Sequence, residues 1–244
     1  LAPSTFNEKR GLSPYNAKMA KKVVAVIPAR IDSSRFPAKM IADTTGKPLI
    51  QYAWEIATKA KSVTDVYIAT DSQEIADRVS AFGGNVLLTG EHPNGTSRIA
   101  EAVRDVECDV VVNMQGDEPE LDPRVIDTTV DALGDFVMAT AVCTLQEDEI
   151  ANENVVKAIV HELQAVDFSR QSQEGALRHI GLYVYQPAFL QTYVQMQPTQ
   201  NEITRRLEQM RALDNGFKIA VARVEPQPAG IDTEDQYEEF VARQ

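Results

Sequence analysis

Val23-Val24-Ala25-Val26-Ile27-Pro28-Ala29-Arg30-Ile31-Asp32-Ser33-Ser34-Arg35-Phe36-Pro37-Ala38-Lys39 joins an apolar run to a basic loop. Val23 to Ile27 is short and continuously apolar, as expected of a strand covered on both faces. The loop behind it carries two arginines and a lysine and is punctuated by Pro28 and Pro37. Arginine offers a planar fork of donors to phosphate oxygens, and lysine offers a mobile point charge. Basic residues at a strand end therefore point to a polyphosphate. A solvated basic loop has the same composition, so the rest of the chain must decide.

Working outward, the pattern alternates. Gly46-Lys47-Pro48 introduces a helix, with Pro48 suited to its first turn and Ile50, Trp54 and Ala57 on one face. Val66 to Ala69 reads as a strand. Asp71 then reads as an N-cap with Glu74 completing a capping box, and Gly83-Gly84 ends that helix. A strand at Val86 to Leu88, a helix from Thr96 to Val106 and a strand at Val110 to Met114 follow. The repetition predicts an α/β fold with a Rossmann-like, mostly parallel sheet flanked by helices, its crevice at the carboxyl ends of the strands. The loops at 28–39, 89–98 and 115–122 should line that crevice.

After a helix at Pro123 to Leu133 the pattern changes. Val137 to Leu145, Val155 to Phe168 and Arg178 to Tyr185 are β-rich and read as an antiparallel β extension, spanning about 137–185. Helices at about 187–195 and 201–214, a strand at Lys218 to Val224 and a helix from Thr233 complete the chain. Residues 1–18 are polar and turn-rich and read as a tail or upstream extension, leaving 19–244 as one domain.

The 244 residues carry a formal net charge of -12, which argues against nucleic acid as a partner. No apolar run approaches the ~18 residues of a membrane-spanning helix, so no membrane partner is expected. Cys108 and Cys143 lack CxxC or zinc-type spacing, which fits a reducing, cytoplasmic setting. GxSxG, HExxH, GxxxxGK[ST] and GxGxxG are all missing, so serine hydrolase, zincin, P-loop and dinucleotide-dependent readings lack support.

Asp117, in Gln115-Gly116-Asp117-Glu118-Pro119, sits at a strand end where one or two carboxylates plus substrate phosphate oxygens could hold magnesium, although Gly-Asp turns are also common. Asp232, after Pro228-Ala229-Gly230-Ile231, invites the same reading or that of an N-cap. In His92-Pro93-Asn94-Gly95-Thr96-Ser97-Arg98 a glycine turn and a helix start at Thr96 would aim backbone donors at an anion or a base edge, although an ordinary cap with a solvated arginine has the same pattern. Arg178-His179-Ile180-Gly181-Leu182-Tyr183 places adjacent titratable residues in a strand, where a structural histidine is the ordinary explanation.

Assembled, these stretches resemble the 3-deoxy-manno-octulosonate (Kdo) cytidylyltransferases, or CMP-Kdo synthetases, from about Val23 onward. The matching segments are Ile27 to Lys39, Ala69-Thr70-Asp71, Gly95 to Arg98, Asn113 to Pro119, Phe168-Ser169-Arg170, Arg178 to Tyr183, Leu207-Glu208-Gln209 and Gly230 to Thr233. The resemblance implies a nucleotide-diphospho-sugar transferase type of fold, a single nucleotidyltransferase domain over 19–244, and a homodimer formed through the antiparallel extension. It assigns Arg30, Ser33, Arg35 and Lys39 to the CTP triphosphate, and Gln115 with Gly95, Thr96 and Arg98 to nucleotide recognition. Asp117 and Asp232 would hold Mg2+, and Arg30, Lys39, Asp117 and Asp232 would be catalytic. Arg170, His179, Tyr183, Glu208 and Gln209 would receive the keto-sugar acid, Kdo. The implied reaction makes CMP-Kdo for lipopolysaccharide biosynthesis.

The match has departures. Ala38 stands where the family usually has glycine, and Pro93-Asn94 and Ser97 alter the nucleotide loop. Behind Ser169-Arg170 the family's Ile-Pro segment and further basic residue are replaced by Gln171-Ser172-Gln173-Glu174-Gly175. A modified Kdo or another keto-sugar acid is therefore an alternative acceptor, and a non-catalytic nucleotide-binding regulator an alternative of another class.

Overall fold

The computed structural model describes residues 21–32 and 35–244; the tail read at 1–18 and Ser33 of the basic loop lie outside the described residues. The opening run forms β1 (Val23–Ala29), followed by the basic loop, a 3-10 turn at Lys39–Ile41 and α1 (Leu49–Lys59). Side chains on β1 alternate between two apolar layers. Ala25 and Ile27 join one with Ile50, Ile75 and Val125, while Val24 and Val26 join the other with Ile99, Phe189 and Leu190. Each fully buried Val or Ile contributes roughly 1.5–3 kcal/mol, which is why this strand is apolar at successive positions rather than alternate ones.

The alternation continues through β2 (Asp65–Thr70), α2 (Gln73–Ala81), β3 (Asn85–Leu88), α3 (Gly95–Ala102), β4 (Val110–Asn113) and α4 (Pro123–Leu133). β5 (Met138–Cys143), β6 (Lys157–His161), β7 (Gln164–Ser169) and β8 (Leu177–Tyr185) come next. The chain then forms α5 (Pro187–Tyr193), α6 (Gln200–Arg205), α7 (Met210–Asp214), β9 (Ile219–Arg223) and α8 (Glu234–Val241).

The sheet order is β3-β2-β1-β4-β8-β5-β9-β7-β6. β1 to β4 are parallel, as expected of a Rossmann-like half, and their order reverses between β1 and β4. That reversal opens a crevice at the carboxyl ends of these two strands, placing the basic loop beside the loop that begins at Met114. The second half is antiparallel apart from the β5–β9 pairing, so the whole sheet is mixed. β6 also pairs with β8, which closes β8-β5-β9-β7-β6 into a ring beside the parallel half.

Several local expectations are corrected. Ser72, not Asp71, caps α2 by accepting from Ile75 N, because the Asp71 carboxylate is taken by the buried Arg98 guanidinium at 2.8 Å. Pairing a buried cation outweighs one cap. Pro48 occupies the N-cap of α1 rather than its first turn. α3 starts earlier and ends earlier than read, with Asn94 as its cap, and Thr233 rather than Asp232 caps α8. Val155 to Phe168 is a hairpin turning at Glu162, whose φ is 55°. The helix read at 201–214 breaks at Arg206, also at φ 55°, leaving Leu207-Glu208-Gln209 between α6 and α7. No helix among the described residues is long and apolar enough to cross a membrane.

Candidate active site

Three sequence-distant residues meet at the crevice. Lys39 is only 5% exposed, and its ammonium donates to Asp117 Oδ2 at 2.7 Å and to the Ile231 carbonyl at 2.6 Å. Asp232 Oδ1 lies 3.7 Å from the same nitrogen and accepts from Arg35 Nη2 at 2.8 Å. A tight turn aims the lysine inward: Ala38 adopts a left-handed conformation at φ 54° and donates its N–H to the Ile31 carbonyl at 3.1 Å. Asp232 is brought in by the Ile231 N–H bond to the Asp117 carbonyl, 2.8 Å long. Gly230 permits that approach, since a Cβ there would stand 3.1 Å from the Asp117 carbonyl oxygen. Because Thr233 caps the helix, the Asp232 carboxylate is left for the crevice.

Asp117 and Asp232 thus converge on one point that already holds a cation, the Lys39 ammonium. Among the described residues no three or more His, Cys, Asp or Glu side chains form a metal cage. Two carboxylates suit magnesium, which keeps water and substrate phosphate oxygens in its remaining positions. The residues present therefore fit the ion in the presence of a phosphorylated substrate.

Glu118 was not singled out by its sequence context, yet it lies beside this cluster. Burial pushes its carboxyl up to about 8, reinforced by the negative charges of Asp117 and Asp232 and opposed by Arg178 and Lys39. Its signal in the sequence is only its position after Asp117, and its burial comes from the Gly230 loop folding over it.

Two cavities meet here. The smaller, about 370 Å³, is lined by Arg30, Arg35, Lys39, Gly95, Gln115 and His92 among others. Arg98 borders it, but its guanidinium is committed to Asp71, to Thr89 Oγ1 at 2.7 Å and to the Gly90 carbonyl, so it braces the wall. Gln115 is anchored by donating to Asn113 Oδ1 at 3.0 Å. His92, which opens the loop singled out in the sequence, pairs with Glu101, and that contact holds the Glu101 carboxyl below its usual range.

The larger cavity, about 470 Å³, contains Arg170, His179, Tyr183, Glu208 and Gln209 together. A ladder irregularity between Thr140 and Ala141 lifts Gly181-Leu182 of β8 out of register. The Thr140 hydroxyl staples it, donating to the Leu182 carbonyl at 2.8 Å, which leaves its lone pair for the His179 Nε2–H at 2.9 Å. Surrounding protein pushes the His179 imidazole down to about 3, so it is neutral, with Nδ1 as an acceptor. Burial raises the Tyr183 hydroxyl well above its ordinary range and raises the Glu208 carboxyl too. Glu208 accepts from Thr96 Oγ1 at 3.0 Å, a hydroxyl left available because Asn94 caps α3. Gln209 is 3% exposed and its Nε2 has no protein partner. An orphaned donor in a buried wall calls for a partner from water or from a ligand. Both cavities are lined by Gly95, Gln115, Asp117, Glu208 and Asp232, so a group in one abuts a group in the other.

Comparison with known proteins accords with this geometry. The family model described as Cytidylyltransferase matches residues 24–219. A 3-deoxy-manno-octulosonate cytidylyltransferase of Syntrophobacter fumaroxidans is 39% identical, covering 90% of this chain and 96% of its own. One of Geobacter metallireducens is 35% identical, covering 91% and 97%. A solved CMP:2-keto-3-deoxy-manno-octonic acid synthetase complexed with CTP superposes with a TM-score of 0.87 at 35% identity, over 91% of this chain and 98% of that one. The chain belongs to the cytidylyltransferase family, among the 3-deoxy-manno-octulosonate cytidylyltransferases.

Proposed function

We propose that the protein transfers CMP from CTP to the anomeric hydroxyl of Kdo, releasing pyrophosphate. The observation that carries this reading is the shared wall of the two cavities, where Asp117 and Asp232, held by Lys39 from the smaller cavity, stand between a basic loop and a pocket of sugar-binding character. The smaller cavity would take the nucleotide, its triphosphate against Arg30, Arg35 and Lys39. The larger would take the sugar acid, with Arg170 toward the carboxylate and His179, Glu208 and Gln209 toward hydroxyls.

The hydroxyl oxygen bonds to the α-phosphorus as the bond to the bridging oxygen of pyrophosphate breaks, and the hydroxyl proton is released. Two anions must be held in line, and charge growing on the leaving group must be met by fixed positive charge. Lys39 and Arg30 supply that charge from the loop. Mg2+ held by Asp117 and Asp232 would add charge neutralisation and polarise substrate oxygens when bound. Gln115 and the 95–98 turn orient the nucleotide.

The same reading takes the product into lipopolysaccharide assembly, in the cytoplasm, and takes the working form as a homodimer. Exposed Leu163 and Val166 on the β6–β7 hairpin support an interface on the antiparallel side. The short segment at 171–176 favours a second reading of the acceptor as a modified Kdo. Pyrophosphate release from CTP should depend on both Kdo and Mg2+. No Kdo-dependent release from folded protein rejects the reading, and release with a modified Kdo alone selects the second one.

A further inference from the structure

Lys157 lies on β6, behind the wall of the larger cavity, and is 1% exposed. Its ammonium donates to the Asn152 carbonyl at 2.5 Å and to the Arg170 carbonyl at 3.1 Å. Arg170 in turn donates from Nη1 to the Glu153 carbonyl at 3.1 Å and the Asn154 carbonyl at 3.4 Å, and from Nη2 to the Arg206 carbonyl at 3.5 Å. Two cations are thus stitched to one short loop, 152–154, entirely through backbone carbonyls.

Carbonyls solvate a cation but do not neutralise it. Glu149, whose charge also reaches Lys157, is paired with Arg178 at 2.9 Å, and Glu153 acts on Lys157 only through space. A buried ammonium without a contacting carboxylate is costly, and burial pushes its pKa down accordingly. Hydrogen bonding alone does not require a charge here, since a neutral donor could join the same carbonyls. A charge is useful if an anion arrives in front of the wall, where Arg170, Asn152 and Asn154 line the cavity.

We propose that Lys157 is a positioning residue for the carboxylate of the acceptor. It fixes the 152–154 loop and the Arg170 backbone so that the guanidinium faces the anion, and its own charge adds to the field there. This rests on the reading of the larger cavity as a sugar-acid site and deepens it, by making the acceptor's carboxylate, rather than its hydroxyls, the group for which the wall is charged.

The test uses the full-length protein, CTP, Mg2+ and two acceptors, Kdo and its C1 amide. Lys157→Met keeps the stem and removes charge and donors; Lys157→Gln keeps a donor and removes the charge. In both, the preference of kcat/KM for acid over amide should fall by about tenfold or more, with KM for CTP within about twofold of wild type. An unchanged preference in Lys157→Gln, or equal losses for acid and amide, overturns the proposal and leaves Lys157 a structural staple. Should neither variant fold, hydrogen exchange on wild type decides: Kdo, but not the amide, must protect residues 152–154 and 170, and equal protection by both overturns it. Absence of Kdo turnover by wild type defeats the functional reading itself, an outcome distinct from these.

Discussion

The two sides of the crevice, proposed above for the nucleotide and for the acceptor, satisfy their polar groups differently. On the nucleotide side the charged groups pair with one another: Lys39 with Asp117, Arg35 with Asp232, Arg98 with Asp71. Around Arg170 on the acceptor side the cations hold only carbonyls, and Gln209 Nε2 holds nothing. On the function proposed above, a triphosphate and its metal would exchange partners with these existing ion pairs. The wall of the larger cavity keeps an unused donor in Gln209 Nε2. On that function, one side would redistribute charge during the reaction and the other would recognise the sugar acid.

The largest expected break in that contrast is Lys39→Met. Removing the cation that joins Asp117, Asp232 and the triphosphate should lower kcat by about a thousandfold, as loss of a preorganised donor to developing charge does, while KM for the sugar acid changes little. Steady-state kinetics in both substrates checks this, and a change confined to acceptor KM would place Lys39 on the wrong side. Gln209→Leu should act oppositely. Acceptor KM should rise about tenfold and the melting temperature should hold or increase, because an apolar group replaces a donor that has no protein partner. A destabilised variant with unaltered acceptor KM would mean that Nε2 serves the fold. Ala38→Gly should have the smallest effect. Relief of left-handed strain, about 1–2 kcal/mol, is offset by the greater freedom of glycine in the unfolded chain, leaving stability raised by under about 1 kcal/mol in urea titration.

The nucleotide side was the more legible of the two in the sequence. An apolar run followed by clustered basic residues marks a covered strand with a basic loop at its end; β1 is that covered strand, and Lys39 of the loop turns into the crevice against Asp117. What the sequence hid were choices between competing partners. Asp71 and Asp232 each sit where a cap is natural, and each was displaced by a neighbour, Ser72 or Thr233, once a cation across the fold claimed its carboxylate. The helix break at Arg206 has no glycine or proline to announce it, yet it turns Glu208 and Gln209 toward the cavity. Nor does local pattern reveal Glu118 or Lys157, whose environments depend on the Gly230 loop and on the closure of the ring. Helix and strand periodicities are local, whereas burial of a charge is decided by segments far apart in the chain.

With the two substrates in the two abutting cavities, as proposed, transfer would be direct, with no nucleotide held covalently by the protein in between. The stereochemistry at the α-phosphorus tests this most directly. With one diastereomer of cytidine 5′-(α-thio)triphosphate and Kdo as acceptor, phosphorus NMR of the product should show inversion, the outcome of a single in-line displacement. Retention of configuration would require two displacements and a covalent intermediate, and would contradict transfer across the shared wall.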